Sequence, residues 1–172
     1  STNPRRPASG KPSTFVRRLS ALWTGSVLVH DVAVLLRAGR VESVTPDREA
    51  KCPNDAEEFD GTGLIGMPGL VDCHTNAVWA GTRLGDFVRR LGGESYAGIL
   101  EGGGGIHTTV RSTRAATEAA LSASLQERLT AMLDRGVCTV EVKSGYGLEI
   151  ESEARLLRLA AAAAGPQRVV TT

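Results

Sequence analysis

The sequence predicts an α/β fold in two parts, a small β-rich module followed by strands and helices in alternation. Two observations carry this reading. The front of the chain sets short apolar runs beside turn residues, as in "VAVLLRAGRVESVTP". From Leu70 onward, apolar runs of strand length ("LVDCHTNAVWA", "VCTVEV", "RVVTT") are separated by segments with helical periodicity.

Taken in order, residues 1–14 are basic and rich in Pro and Ser and read as a disordered tail. Val32–Leu36 and Val41–Val44, joined through Ala38-Gly39, predict a β-hairpin. The polar stretch "TPDREAKCPNDAEEFDGTG" reads as a loop with a short strand near Glu58-Phe59. These elements place the β-rich module at residues 15–66 and the alternating part at 67–172. "LVDCHTNAVWA" is mostly apolar, as expected of a strand buried on both faces of a parallel sheet. A short helix is expected around Asp86–Leu91, then the Gly-rich stretch "GGESYAGILEGGGGI". The clearest helix carries Leu121, Leu125, Leu129, Met132 and Leu133 on one face, with Thr117 as N-cap and Gly136 just past its end. "VCTVEVKSGYG" is a strand ending in a Gly-flanked loop, "ESEARLLRLAAAAAGP" a helix stopped by Gly165 and Pro166, and "RVVTT" a third strand. Such an order implies parallel pairing through right-handed crossovers. An open doubly wound sheet and a (β/α)8 barrel both satisfy it. A barrel takes about 250 residues, so the hundred or so after Gly66 would hold roughly two and a half of its eight units.

Composition narrows the function classes. Twenty basic residues against 19 acidic give a formal charge of +1, which offers no reason to expect a nucleic acid or an anionic membrane as partner. No apolar run approaches the length of a bilayer span, and no hydrophobic segment with a cleavage site follows the basic start. The 3 cysteines, Cys52, Cys73 and Cys138, are far apart and lack CxxC spacing, which predicts reduced thiols in a cytoplasmic protein. Aromatic residues are only 4%, so the core must be made of Val, Leu, Ile and Ala.

The residues that could carry chemistry sit near strand ends. In a strand, Asp72, His74 and Asn76 share one face, and a His-x-His pair at a barrel strand's carboxyl end can put two imidazoles on one metal ion. The second residue of that pair is Asn here. Gly102–Gly105 lacks the preceding strand, the immediate helix and the Lys-Ser/Thr of a phosphate loop, and reads as a flexible turn, with His107 a solvated loop residue. Glu141 and Lys143 share a face and are expected to pair with other interior polar groups. Tyr146 lies in a Gly-flanked loop at a strand end, where function concentrates.

"PGLVDCHTN" resembles the end of the first barrel strand in the amidohydrolase superfamily, PG-(L/F)-(V/I)-D-x-H-x-H. "DCHTNAVWAGTR", "GGGGIHTTVRSTRAAT" and "VEVKSGYGLEIESEARLLRLA" resemble the imidazolonepropionase family within it. The resemblance implies a partial (β/α)8 barrel of the amidohydrolase type, preceded by a small β-rich composite domain. It implies hydrolysis of a cyclic amide, 4-imidazolone-5-propanoate to N-formimidoyl-glutamate, in histidine degradation. It further implies one divalent metal ion, zinc or iron, that lowers the pKa of a bound water and polarises the ring carbonyl. By the same resemblance His74 is a metal ligand and Asn76 stands where the second ligand would be. An amide oxygen is a poor substitute for the imidazole nitrogen that such metals prefer, so Asn76 reads as a lost ligand. Arg83 matches the family's substrate-carboxylate anchor and Tyr146 its substrate-contacting tyrosine. The implied partners are the small-molecule substrate, a homodimer mate, and the remainder of the barrel from a longer parent chain or a second polypeptide. The 172 residues alone are expected to be catalytically silent. The alternative is a catalytically inactive relative that binds small molecules or serves in assembly.

Overall fold

The computed structural model describes residues 13–172, which divide into two units at the Pro68–Gly69 junction. The expected tail falls outside the described residues, save that Ser13 and Thr14 already belong to a strand. No helix among the described residues is long and apolar enough to cross a membrane.

The first unit is a five-stranded sheet of β1 (Ser13–Trp23), β2 (Leu28–Arg37), β3 (Arg40–Pro46), β4 (Ala56–Asp60) and β5 (Ile65–Gly66). Its path runs β3-β2-β1-β4, with β5 also paired to β1. β2 and β3 form the expected antiparallel hairpin. Ala38 and Gly39 both have positive φ, at 50° and 75°, the geometry whose twist matches a two-residue hairpin turn. β1 is the sheet's organising strand, because it pairs antiparallel with β2 and parallel with β4 and β5. "FVRRLSALW" gives no clean alternation because the strand is interrupted: its register shifts between Val16 and Leu19, where Arg18 adopts φ 58°. The Arg18 N–H there donates to Asp47 Oδ1 at 2.7 Å, so the irregularity is satisfied by a side chain in place of a strand partner.

The second unit holds a three-stranded parallel sheet of β6 (Leu70–Thr75), β7 (Val137–Val142) and β8 (Arg168–Thr171), in sequential order. Between β6 and β7 lie α1 (Leu84–Leu91), α2 (Tyr96–Glu101), α3 (Ile106–Ala115) and α4 (Glu118–Leu133); α5 (Ile150–Ala161) connects β7 to β8. α4 has the expected start and finish. Thr117 accepts from the Ala120 N–H at 3.2 Å, and Gly136 follows the helix with φ 84°. Its Leu121, Leu125 and Leu129 bury against Val140 and Val142 of β7 and Leu156 and Ala160 of α5.

Two expectations are corrected. β6 is not buried on both faces: it is the edge of the sheet, and Leu70 and Val71 are 46% and 65% exposed. Its apolar sequence therefore has no covering layer within this unit. The stretch from Gly92 to Ile106 is not simply loop. Ser95 caps α2 by accepting from the Gly98 N–H at 3.0 Å, and α3 starts directly after Gly105, which has φ 65°. His107 is thus exposed on a helix. α3 escaped detection because "IHTTVRST" is rich in β-branched residues of low helix propensity, and packing overrides that preference.

Leu125→Ala is expected to cost about 2–5 kcal/mol, the range for a cavity left by a fully buried leucine, read from urea denaturation followed by far-UV circular dichroism.

Candidate functional site

The orientation of β7 sets the site. Val140 and Val142 face the helices, so strand alternation turns Glu141 and Lys143 to the opposite side. There Glu141 Oε1 accepts from Lys143 Nζ at 3.0 Å and from Thr172 Oγ1 at 3.0 Å. The Lys143 hydrogen bond, followed by that of Thr172, holds the Glu141 carboxyl below the usual carboxylate range, and the nearby His74 adds to the effect. Glu141 and Lys143 thus share a face, as expected, and pair with each other and with Thr172 in place of the other interior groups the sequence suggested.

His74 is exposed on β6, and its backbone N–H donates to Asp72 Oδ1 at 3.2 Å. Asn76 lies just past the end of β6. Its Nδ2 donates to Lys143 O at 3.2 Å and Ser144 O at 2.9 Å, tying the exit of β6 to the loop after β7. A Cβ on Gly145 would sit 3.0 Å from that amide nitrogen, a tight contact, and the residue has φ 155°, so glycine suits the close approach of the loop to Asn76. The side chain at the expected second-ligand position is therefore committed to backbone carbonyls. Among the described residues, no three His, Cys, Asp or Glu side chains gather where they could hold a metal ion. His30 belongs to β2 in the first unit and His107 to α3. With His74 as the lone imidazole at the strand mouth, the described residues do not fit a metal site by themselves.

Arg83 and Tyr146, by contrast, come together. With Trp79 and Thr109 they line a cavity of about 260 Å³. Each wall is held from behind. Ala77 and Val78 are buried in the main core, which pins the segment that delivers Trp79. Arg128 of α4 donates through Nη1 to Ala77 O at 2.9 Å and Trp79 O at 3.0 Å, and its guanidinium lies 3.8 Å from the centroid of the Trp79 ring. Thr109 comes from α3, whose Thr113 hydroxyl accepts from the Ala80 N–H at 3.1 Å. Tyr146 packs on the main core, and its loop is braced from three sides. Asn76 holds one end. Arg114 Nε donates to Gly147 O at 2.6 Å. Glu153 Oε1 accepts from the Gly147 and Leu148 N–H groups at 2.9 and 2.7 Å. Arg83 stands at the start of α1, where its carbonyl accepts from the Phe87 N–H at 3.0 Å. Arg89 and Arg114 are taken up by Glu94 and Glu149, whereas Arg83 forms no ion pair among the described residues. An unpaired guanidinium beside two aromatic rings and two hydroxyls suits a small planar ring bearing a carboxylate. His74 does not line this cavity.

Trp79, Thr109, Arg114 and Arg128 were not read as site residues from sequence. The available signal was Trp79 alone, one of 2 tryptophans in the chain and close behind the strand end. The others act from helices, and nothing local marks them.

No family model matches the chain. Among curated proteins, the imidazolonepropionase of Cereibacter sphaeroides is 48% identical over 143 residues, 83% of this chain and 36% of that protein. The imidazolonepropionase of Acidiphilium cryptum is 47% identical over 150 residues, 86% of this chain and 37% of that protein. The chain therefore spans little more than a third of the length of these relatives. Of solved structures, molinate hydrolase superposes with a TM-score of 0.57 at 19% identity, over 94% of this chain and 30% of that one, a likeness of fold alone.

Lowering of the Glu141 pKa on folding is a stabilisation present above the unfolded-state value of about 4.3 and lost as pH falls through the lower folded value. In an NMR pH titration, Lys143→Met is expected to move the Glu141 midpoint up toward the ordinary range. Asn76→Ala removes two hydrogen bonds of about 0.5–1.5 kcal/mol each, so amide hydrogen exchange at Gly145, Tyr146 and Gly147 is expected to accelerate without faster exchange in α4.

Proposed function

From its kinship with the imidazolonepropionases of the amidohydrolase superfamily, we propose that this chain forms part of a hydrolase opening a C–N bond of a cyclic amide. The substrate would be 4-imidazolone-5-propanoate, the product N-formimidoyl-glutamate, and the setting histidine degradation in the cytoplasm. The observation that carries this reading is the meeting of Arg83 and Tyr146 in one cavity of about 260 Å³. The planar fork of Arg83 would hold the propanoate through two hydrogen bonds. Tyr146, on its braced loop, would locate the ring against the remaining walls. Binding and orientation are the contributions assigned to this chain's own residues.

The three parallel strands in sequential order support reading residues 67–172 as the opening of a (β/α)8 barrel, with residues 15–66 in the family's small β-domain. The exposed edge and face of β6 suit a strand that awaits neighbours, which a longer parent polypeptide or a second chain would supply. The zinc or iron that such hydrolases use would find His74 as its well-suited ligand among the described residues of the strand mouth. A homodimer is the proposed assembly. The inactive-relative alternative is not favoured by identities of 44–48% to proteins named as the enzyme.

Titration calorimetry with 4-imidazolone-5-propanoate tests the reading. Binding is expected, and Arg83→Met should weaken it roughly 10- to 100-fold, as charged hydrogen bonds worth about 1.5–3 kcal/mol imply. Unchanged affinity in Arg83→Met would remove the carboxylate role. Turnover by the 172-residue chain together with stoichiometric tight zinc or iron would overturn the division of labour.

A further inference from the structure

We infer that Arg128 is a positioning residue that presents the Trp79 ring as a stacking wall selective for flat ligands, an inference that rests on the proposed ring-bearing substrate. Trp79 lines the cavity with Arg83 and Tyr146, while Arg128 does not reach it. Arg128 instead lies over the indole at 3.8 Å. A surface cation–π pair leaves both partners mobile, but this one is fixed at three points. The guanidinium stacks on the ring, and Nη1 holds the carbonyls of Ala77 and Trp79 itself. Ring and backbone of one residue are thus gripped by one side chain, whose own helix is anchored by Leu125 and Leu129 on either side of it.

The chemistry of the guanidinium fits this grip. Burial pushes the Arg128 pKa down, and Glu127 only partly opposes it. No carboxylate pairs with Arg128 among the described residues, so its partners are two carbonyls and a π face. A planar, weakly hydrated cation is the side chain that tolerates those partners, and Lys would lose the fork and the stacking plane together. Trp79, held in this way, is one wall of the cavity that Arg83 also lines. A ligand whose carboxylate sits on Arg83 would lay its ring on that wall, and stacking rewards planarity.

The test compares two carboxylates of similar size: 3-(imidazol-4-yl)propanoate, which is flat, and 3-cyclopentylpropanoate, which is puckered and has no π face. In a Trp23→Phe background, Trp79 is the sole indole and its emission reports stacking directly. The planar probe is expected to quench that emission and to bind about tenfold tighter than the puckered one. Arg128→Met should erase this preference and the quenching, while the puckered probe keeps its affinity within about twofold. If Arg128→Met does not fold by circular dichroism, Arg128→Lys, which keeps the charge but loses the fork and the stacking plane, carries the same expectation with Trp79 still the reporter. Equal weakening of both probes, or a preference that survives, overturns the inference while leaving the carboxylate anchor standing. If neither probe binds the parent chain, the inference and the functional reading beneath it fall together.

Discussion

The burial of Val140 and Val142 against α4 and α5 is the constraint from which the parallel unit follows. Both valines are essentially without solvent contact, and Leu121, Leu125, Leu129 and Leu156 close over them. Each such side chain contributes about 1.5–3 kcal/mol by leaving water. A strand has only two faces, so this one choice also sends Glu141 and Lys143 to the other side, where they satisfy each other and Thr172. A slip of one residue would bury that ion pair and expose the valines, which is why the register is strongly specified. The same apolar cluster takes in Ala77 and Val78. The chain leaving β6 is therefore pinned before it reaches Trp79.

Beyond the strands, backbone carbonyls set the design. Segments that leave a sheet have C=O groups without ladder partners, and partly buried ones must be paired somewhere. In this unit polar side chains reach over to them: Arg128 to residues 77 and 79, Arg114 to 147, and Asn76 to 143 and 144, while Arg155 does the same for residue 116 at the end of α3. Three of the four donors are guanidinium groups on helices, and charge-assisted bonds of this kind are stronger than neutral ones. The consequence is functional. Apart from Thr109 on α3, the cavity residues stand outside the helices and strands, yet the segments that carry Trp79 and Tyr146 are held from helices that are themselves locked into the core.

At the mouth of the strands Asn76 works through its amide nitrogen. The Asn76 amide turns its N–H groups toward two carbonyls of the neighbouring loop. Asn76 thus braces the segment carrying Tyr146. His74 retains its place on the edge strand, with Glu141 as its charged neighbour.

Periodicity and turn chemistry were enough to read the β2–β3 hairpin, α4 with both its ends, β7, α5 and β8, because each is decided within a dozen residues by caps, glycines and apolar spacing. The motif resemblance picked out Arg83 and Tyr146, and the fold brings them into one cavity. What local sequence could not decide was set by partners distant in the chain. β1 is irregular in sequence and is held by three other strands. α2 and α3 have weak helix propensity and form because they pack. β6 looks like a buried strand, but burial depends on neighbours, and in this unit it has one. Trp79, Thr109, Arg114 and Arg128 became site residues only through contacts made across tens of positions, since a hydrogen bond from α4 to the exit of β6 leaves no trace in the periodicity of either segment.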